Sequence, residues 1–122
     1  MSASILNITF DCADAREQAA FWAAVTGWTA TEQDSTPGHV EYSVDPPDGT
    51  SPRLYFTTVP EPKRAKNRLH LDLLPPGNGP DELVRLQALG ARALADQPPG
   101  ASWIVLADPE GNEFCLERAG PG

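Results

Sequence analysis

No apolar run in this chain of 122 residues comes near the roughly 18–20 residues that cross a bilayer, so no membrane-spanning helix is expected. Basic residues are scarce. Nine lysines and arginines stand against 17 aspartates and glutamates, giving a net charge of −8 and a pI near 4.5. Nucleic-acid binding is thereby disfavoured, because phosphate recognition needs a positive surface. Two cysteines at opposite ends, Cys12 and Cys115, form no zinc-type spacing, and a reducing cytosol would leave them unpaired. The opening MSASILNITF has no basic stretch ahead of its short apolar run. A secretory signal is therefore not expected, and the cytoplasm is the expected location.

Proline and glycine are plentiful, at 13 and 10 residues, and mostly sit in PPDG, PEP, PPGNGP, QPPG and GPG between apolar segments. That placement reads as loop chemistry. Hydrophobic residues make up 40% of the chain, clustered in strand-length and helix-length groups, as a folded domain requires. The length is that of one ordinary domain.

Leu6, Ile8 and Phe10 alternate with Asn7, Thr9 and Asp11, which predicts a half-buried strand. Asp14-x-x-Glu17 then caps a helix running to about Thr26, with Ala20, Phe21, Ala24 and Val25 on one face and Gly27 as its stop. Strands follow near Trp28–Gln33, across Val40, Tyr42 and Val44, and across Leu54 and Phe56. The pattern then recurs. Leu69, Leu71 and Leu73 alternate with Arg68, His70 and Asp72, and Pro80 and Asp81 open a helix with Leu83, Leu86 and Leu89 inward. Trp103–Leu106 and Glu113–Glu117 supply later strands around the turn DPEGN. His70 follows Asn7 by 63 positions, and Gly90 follows Gly27 by the same 63. A shared offset for strand and helix stop identifies a duplicated unit, since neither half alone covers its apolar face.

The duplicated unit, together with KNRLHLDL and DPEGNEFCLE, resembles the vicinal oxygen chelate superfamily of glyoxalase and bleomycin-resistance type, in its glyoxalase-like branch. The resemblance spans Ile5 to Glu117. It implies an α+β fold: one domain over 1–122, of two βαβββ modules at about 4–60 and about 67–119, forming a curled mixed sheet around a cleft with helices outside. It also implies, weakly, a homodimer. Metal-using members take ligands from the first and fourth strands of each module. Matched to this chain, those positions hold Asn7, Tyr55, His70 and Cys115, and of these His70 alone is of the family's ligand type. A catalytic divalent site needs at least three good donors. No metal cofactor is therefore expected, unless Glu113 or Glu117 supplies an unforeseen third donor.

The expected function is binding of a small organic molecule, an anionic one included, without metal. Its ligand-binding residues would be Asn7, Thr9, Tyr55, His70, Asp72 and Cys115. The alternative is a lyase, isomerase or dioxygenase in which His70 is the catalytic residue, as metal ligand or general base; a vestigial cleft serving a partner is the third. Competing readings accompany each residue. His70 can be a core histidine, Cys115 a small apolar filler, and Lys63, Arg64, Lys66 and Arg68 either a solvated linker or an anion clamp. Trp22, Trp28 and Trp103 read as core or interface residues rather than ligand stackers.

Overall fold

The computed structural model describes residues 1–97 and 99–118. The expected module end at 119, Pro98 of the QPPG loop and the terminal GPG lie outside the described residues. The chain divides into two compact units, Met1–Lys63 and Arg64–Gly122. These are referred to below as module one and module two. Among the described residues no helix is long and apolar enough to cross a membrane. The fold is α+β, with one helix and one four-stranded mixed sheet in each module.

Module one runs β1 (Asn7–Cys12), α1 (Ala15–Thr26), β2 (Thr29–Thr36), β3 (His39–Asp45) and β4 (Arg53–Thr58). The sheet order is β1-β4-β3-β2, with β1 and β4 parallel and the remaining pairs antiparallel. The helix starts where the sequence predicts. The Asp14 carboxylate accepts from the Glu17 backbone N–H at 3.0 Å, and Gly27 closes the helix at φ 74°, a left-handed conformation that glycine adopts without strain. Its buried face differs from the predicted one. Ala15, Gln18, Ala19, Phe21 and Trp22 face inward, whereas Ala20 and Ala24 are exposed. The cause is aromatic packing: Trp22 meets Phe10 with ring centroids 5.7 Å apart, and Phe10 meets Phe56 at 4.9 Å. Burying Trp22, 1% exposed, outweighs burying two alanines and sets the helix's rotation.

Module two runs β5 (Asp72–Leu73), α2 (Gly79–Leu89), β6 (Arg92–Ala93), β7 (Trp103–Ala107) and β8 (Glu113–Glu117), in the order β5-β8-β7-β6. Again the outer pair β5–β8 is parallel. The predicted strand through Leu69 contracts to β5, and Leu69 itself is 61% exposed. The loss is at the N-terminal side, where one ladder-type bond, Cys115 N–H to the Leu71 carbonyl at 2.9 Å, continues past the assigned strand. Pro80 and Asp81 stand in the first turn of α2, as predicted, and Asn78 caps it; its amide oxygen accepts from Asp81 N–H at 2.8 Å. Leu86 is buried as expected, but Leu89 is 37% exposed. Glu82 takes a buried place instead, held by both guanidinium contacts of Arg85 at 2.8 Å. Gly79 donates to the Arg118 carbonyl at 3.0 Å, and a Cβ there would meet that oxygen at 2.5 Å. The turn DPEGN folds around the fully buried Asp108, whose carboxylate accepts from the backbone N–H groups of Glu110 and Asn112 at 2.9 Å.

Candidate pocket on module two and its counterpart face on module one

Alternation gives each sheet an apolar face against its helix and a second face of different chemistry. On module two the second face carries Asp72, Cys115 and Val105 in one cross-strand row, and Trp103 opposite Glu117 in the next. These residues, with Lys66, His70 and Glu113, line a cavity of about 420 Å³. His70 Nε2 lies 3.1 Å from Asp72 Oδ1. His70, Asp72 and Cys115 bring their donor atoms within 4.8 Å of one another. The Cys115 thiol is buried, and its pKa is pushed up first by that burial and then by the Asp72 carboxylate. It is held as a thiol, which works against a nucleophilic thiolate. Glu113 is engaged by Asn67, whose backbone N–H donates to it at 3.1 Å.

On module one the corresponding face carries its own side-chain hydrogen bonds. Asn7 Oδ1 accepts from Arg53 Nε at 2.8 Å, and Gln33 donates to Ser43 at 3.0 Å. Thr9 stands exposed beside Tyr55 across the β1–β4 pair. The Tyr55 hydroxyl donates to Glu41, whose other oxygen lies 2.6 Å from His39 Nε2. Burial, followed by the Glu41 bond, pushes the Tyr55 phenol up to about 12. Glu41 is held below its usual range by the Tyr55 and His39 bonds.

Of the six residues expected to bind ligand, His70, Asp72 and Cys115 come together on module two, and Asn7, Thr9 and Tyr55 share the second face of module one. The four positions matched to the superfamily's metal ligands do not suit a divalent ion here. Asn7 is committed to Arg53, and Tyr55 is a protonated phenol bound to Glu41. Asp72 is the third donor beside His70 and Cys115, where Glu113 or Glu117 was anticipated. Trp103, read from sequence as core or interface, is 39% exposed and forms a wall of the cavity. Its i, i+2 spacing from Val105 on one strand was the signal in the sequence; the β7–β8 register then sets both beside Cys115 and Glu117. Of the basic cluster, Lys66 reaches the cavity lining.

The glyoxalase-like domain family matches residues 7–117. No curated protein matches the chain by sequence. Several solved structures share the fold. The trypanothione-dependent glyoxalase I of Leishmania major is 15% identical, with a TM-score of 0.72 over 96% of this chain and 87% of that one. The fosfomycin resistance protein FosX of Listeria monocytogenes, solved with Mn(II) and a dihydroxypropylphosphonic acid, is 14% identical, with a TM-score of 0.71 over 96% and 93%. A glyoxalase/bleomycin resistance protein/dioxygenase family enzyme of Burkholderia phytofirmans is 20% identical, with a TM-score of 0.63 over 96% and 99%. The duplicated topology and the match over 7–117 lead to one assignment: the chain belongs to the glyoxalase-like domain family of the vicinal oxygen chelate superfamily.

Proposed function

We propose that the protein binds a small organic molecule, without metal, in the module-two pocket. The observation that carries this reading is the cavity of about 420 Å³ with an apolar wall, Trp103 and Val105, beside the polar group His70, Asp72 and Cys115. That combination of a shaped apolar volume and a few convergent polar groups is what small-molecule sites require. Asp72, Glu113 and Glu117 outnumber Lys66 in the lining, so a cationic or hydrogen-bond-donating group is favoured over the anion expected from the basic cluster. A flat amine would stack on Trp103 while its nitrogen faces the carboxylates.

The test is a titration of chelator-treated protein with aromatic amines and matched aromatic acids, read by calorimetry. Saturable binding of amines, weakened at least tenfold by Trp103→Ala and by His70→Ala, is the expected result. Equal affinity for the acids, or binding indifferent to both substitutions, would overturn the reading. Tyr55→Ala in the same assay reads whether module one takes part.

A second reading draws on the His70–Asp72 pair. A carboxylate at 3.1 Å orients the imidazole and fixes its tautomer, which positions His70 as a general base. Turnover that is lost in His70→Gln, with substrate binding kept, would favour it.

A further inference from the structure

We propose that Asp34, His39 and Glu41 form a binding site for a first-row divalent metal ion on the β2–β3 hairpin of module one. Three observations converge on it. First, the hairpin register is broken between Glu32 and Asp34: Glu32 stands opposite Tyr42, and Asp34 stands opposite Glu41. Regular pairing would have placed Gln33 opposite Glu41. The bulge turns Asp34 to the Glu41 face and sets two carboxylates directly across from each other. Such a like-charge pair opposes hairpin formation unless a counter-charge lies between them.

Second, His39 adds a nitrogen donor on that face, two residues before Glu41, and the donor atoms of all three residues lie within 4.8 Å of one another. A simple ion pair between His39 and Glu41, at 2.6 Å, satisfies one carboxylate and leaves Asp34 facing the other. An ion held by all three satisfies both. Third, Tyr55 donates to the remaining side of Glu41. Hydrogen bonds of this kind orient ligating carboxylates in metal sites.

One imidazole and two carboxylates make a borderline donor set, suited to Zn²⁺ or Mn²⁺ with water completing the shell. Side-chain exposures of 42% for His39 and 28% for Glu41 leave the group open to an ion from solution. None of the three residues stands at a position matched to the superfamily's ligands, which fall at Asn7, Tyr55, His70 and Cys115.

The experiment uses the full chain carrying His70→Ala, which removes the other donor cluster, stripped with chelator and titrated separately with Zn²⁺ and Mn²⁺. Calorimetry and elemental analysis after dialysis give affinity and stoichiometry, and the thermal midpoint is followed with and without metal. One equivalent of at least one of the two ions should bind and raise the midpoint. Adding His39→Ala or Asp34→Asn should weaken binding at least tenfold and abolish the rise. Without metal, Asp34→Asn should melt no lower than its parent, because it relieves repulsion. Failure of both ions to bind at millimolar concentration, or binding unchanged by His39→Ala, would overturn the site. A lower metal-free midpoint in Asp34→Asn would do so too, since Asp34 would then belong to a stabilising ion-pair network.

Discussion

In module one the middle cross-strand row is Thr9, Tyr55 and Ser43; in module two the equivalent row is Asp72, Cys115 and Val105. The next row pairs Glu41 with Thr57 in one copy and Trp103 with Glu117 in the other. Topology and strand pairing are common to both, yet one row holds a buried, hydrogen-bonded serine and the other lines a cavity. Ser43 is fully buried and bonds to Gln33 and to Asp45, at 3.0 and 2.9 Å. Val105, in its place, has no side-chain hydrogen bond to offer, and the acids around it face a cavity. The replacement of a hydrogen-bonding serine by valine is thus one of the differences that accompany the module-two cavity.

The largest effect expected on either side of this comparison lies in the cores. Phe56→Ala in module one and Phe114→Ala in module two, at 0% and 1% exposure, should each lower the unfolding free energy by about 3–5 kcal/mol in urea titrations. A markedly smaller cost in one module would show that its core is the looser. Next comes the pocket itself. Val105→Ser, which rebuilds the module-one row in module two, should weaken amine binding about tenfold, or about 1.4 kcal/mol, by calorimetry. Unchanged affinity would break the link between the cavity-lining row and binding. Tyr55→Phe removes the hydroxyl that holds Glu41 and should cost about 1–2 kcal/mol of stability. The two helix caps should be equivalent, with Asp14→Ala and Asn78→Ala each costing about 1 kcal/mol by the same denaturation assay.

The smallest effects are the two ends of the pH–stability curve. Glu41 titrates below its ordinary 4.5 in the folded protein, so its contribution is present above that pH and is lost as pH falls through the folded value. Cys115 titrates above its ordinary 9.0, so its contribution is present below 9.0 and is lost as pH rises through the folded value. Glu41→Gln should flatten the acid limb and Cys115→Ser the alkaline limb, each leaving the other intact.

Much of this was legible in the chain. The offset of 63 carries Gly27 onto Gly90 and α1 (15–26) almost onto α2 (79–89), because capping and helix stops depend on local residue chemistry. Facing was harder to read. A periodic pattern marks a helix but does not say which of several small apolar residues turns inward when a tryptophan competes, and Trp22 decided that for α1. The candidate pocket was half visible: His70, Asp72 and Cys115 were anticipated, and Trp103 was not, since its placement beside Cys115 and Glu117 depends on the β7–β8 register. The alternation in β3 already puts His39 and Glu41 on one face, but Asp34 escaped notice because a bulge resets the pairing by one residue, and nothing local in TATEQDST announces it.

The contact between Gly79 and the Arg118 carbonyl has a consequence for how the two copies can exchange sequence. Module one carries Arg16 at the position 63 residues earlier, exposed and hydrogen-bonded to Tyr42 at 3.0 Å. Copying glycine into position 16 would cost those surface contacts and glycine's helix penalty, at most about 1 kcal/mol, with no steric clash to add. Copying arginine into position 79 would drive a side chain into the backbone at 118. The two repeats are therefore not interchangeable at this site, since a side chain at 79 meets backbone whereas position 16 lies exposed.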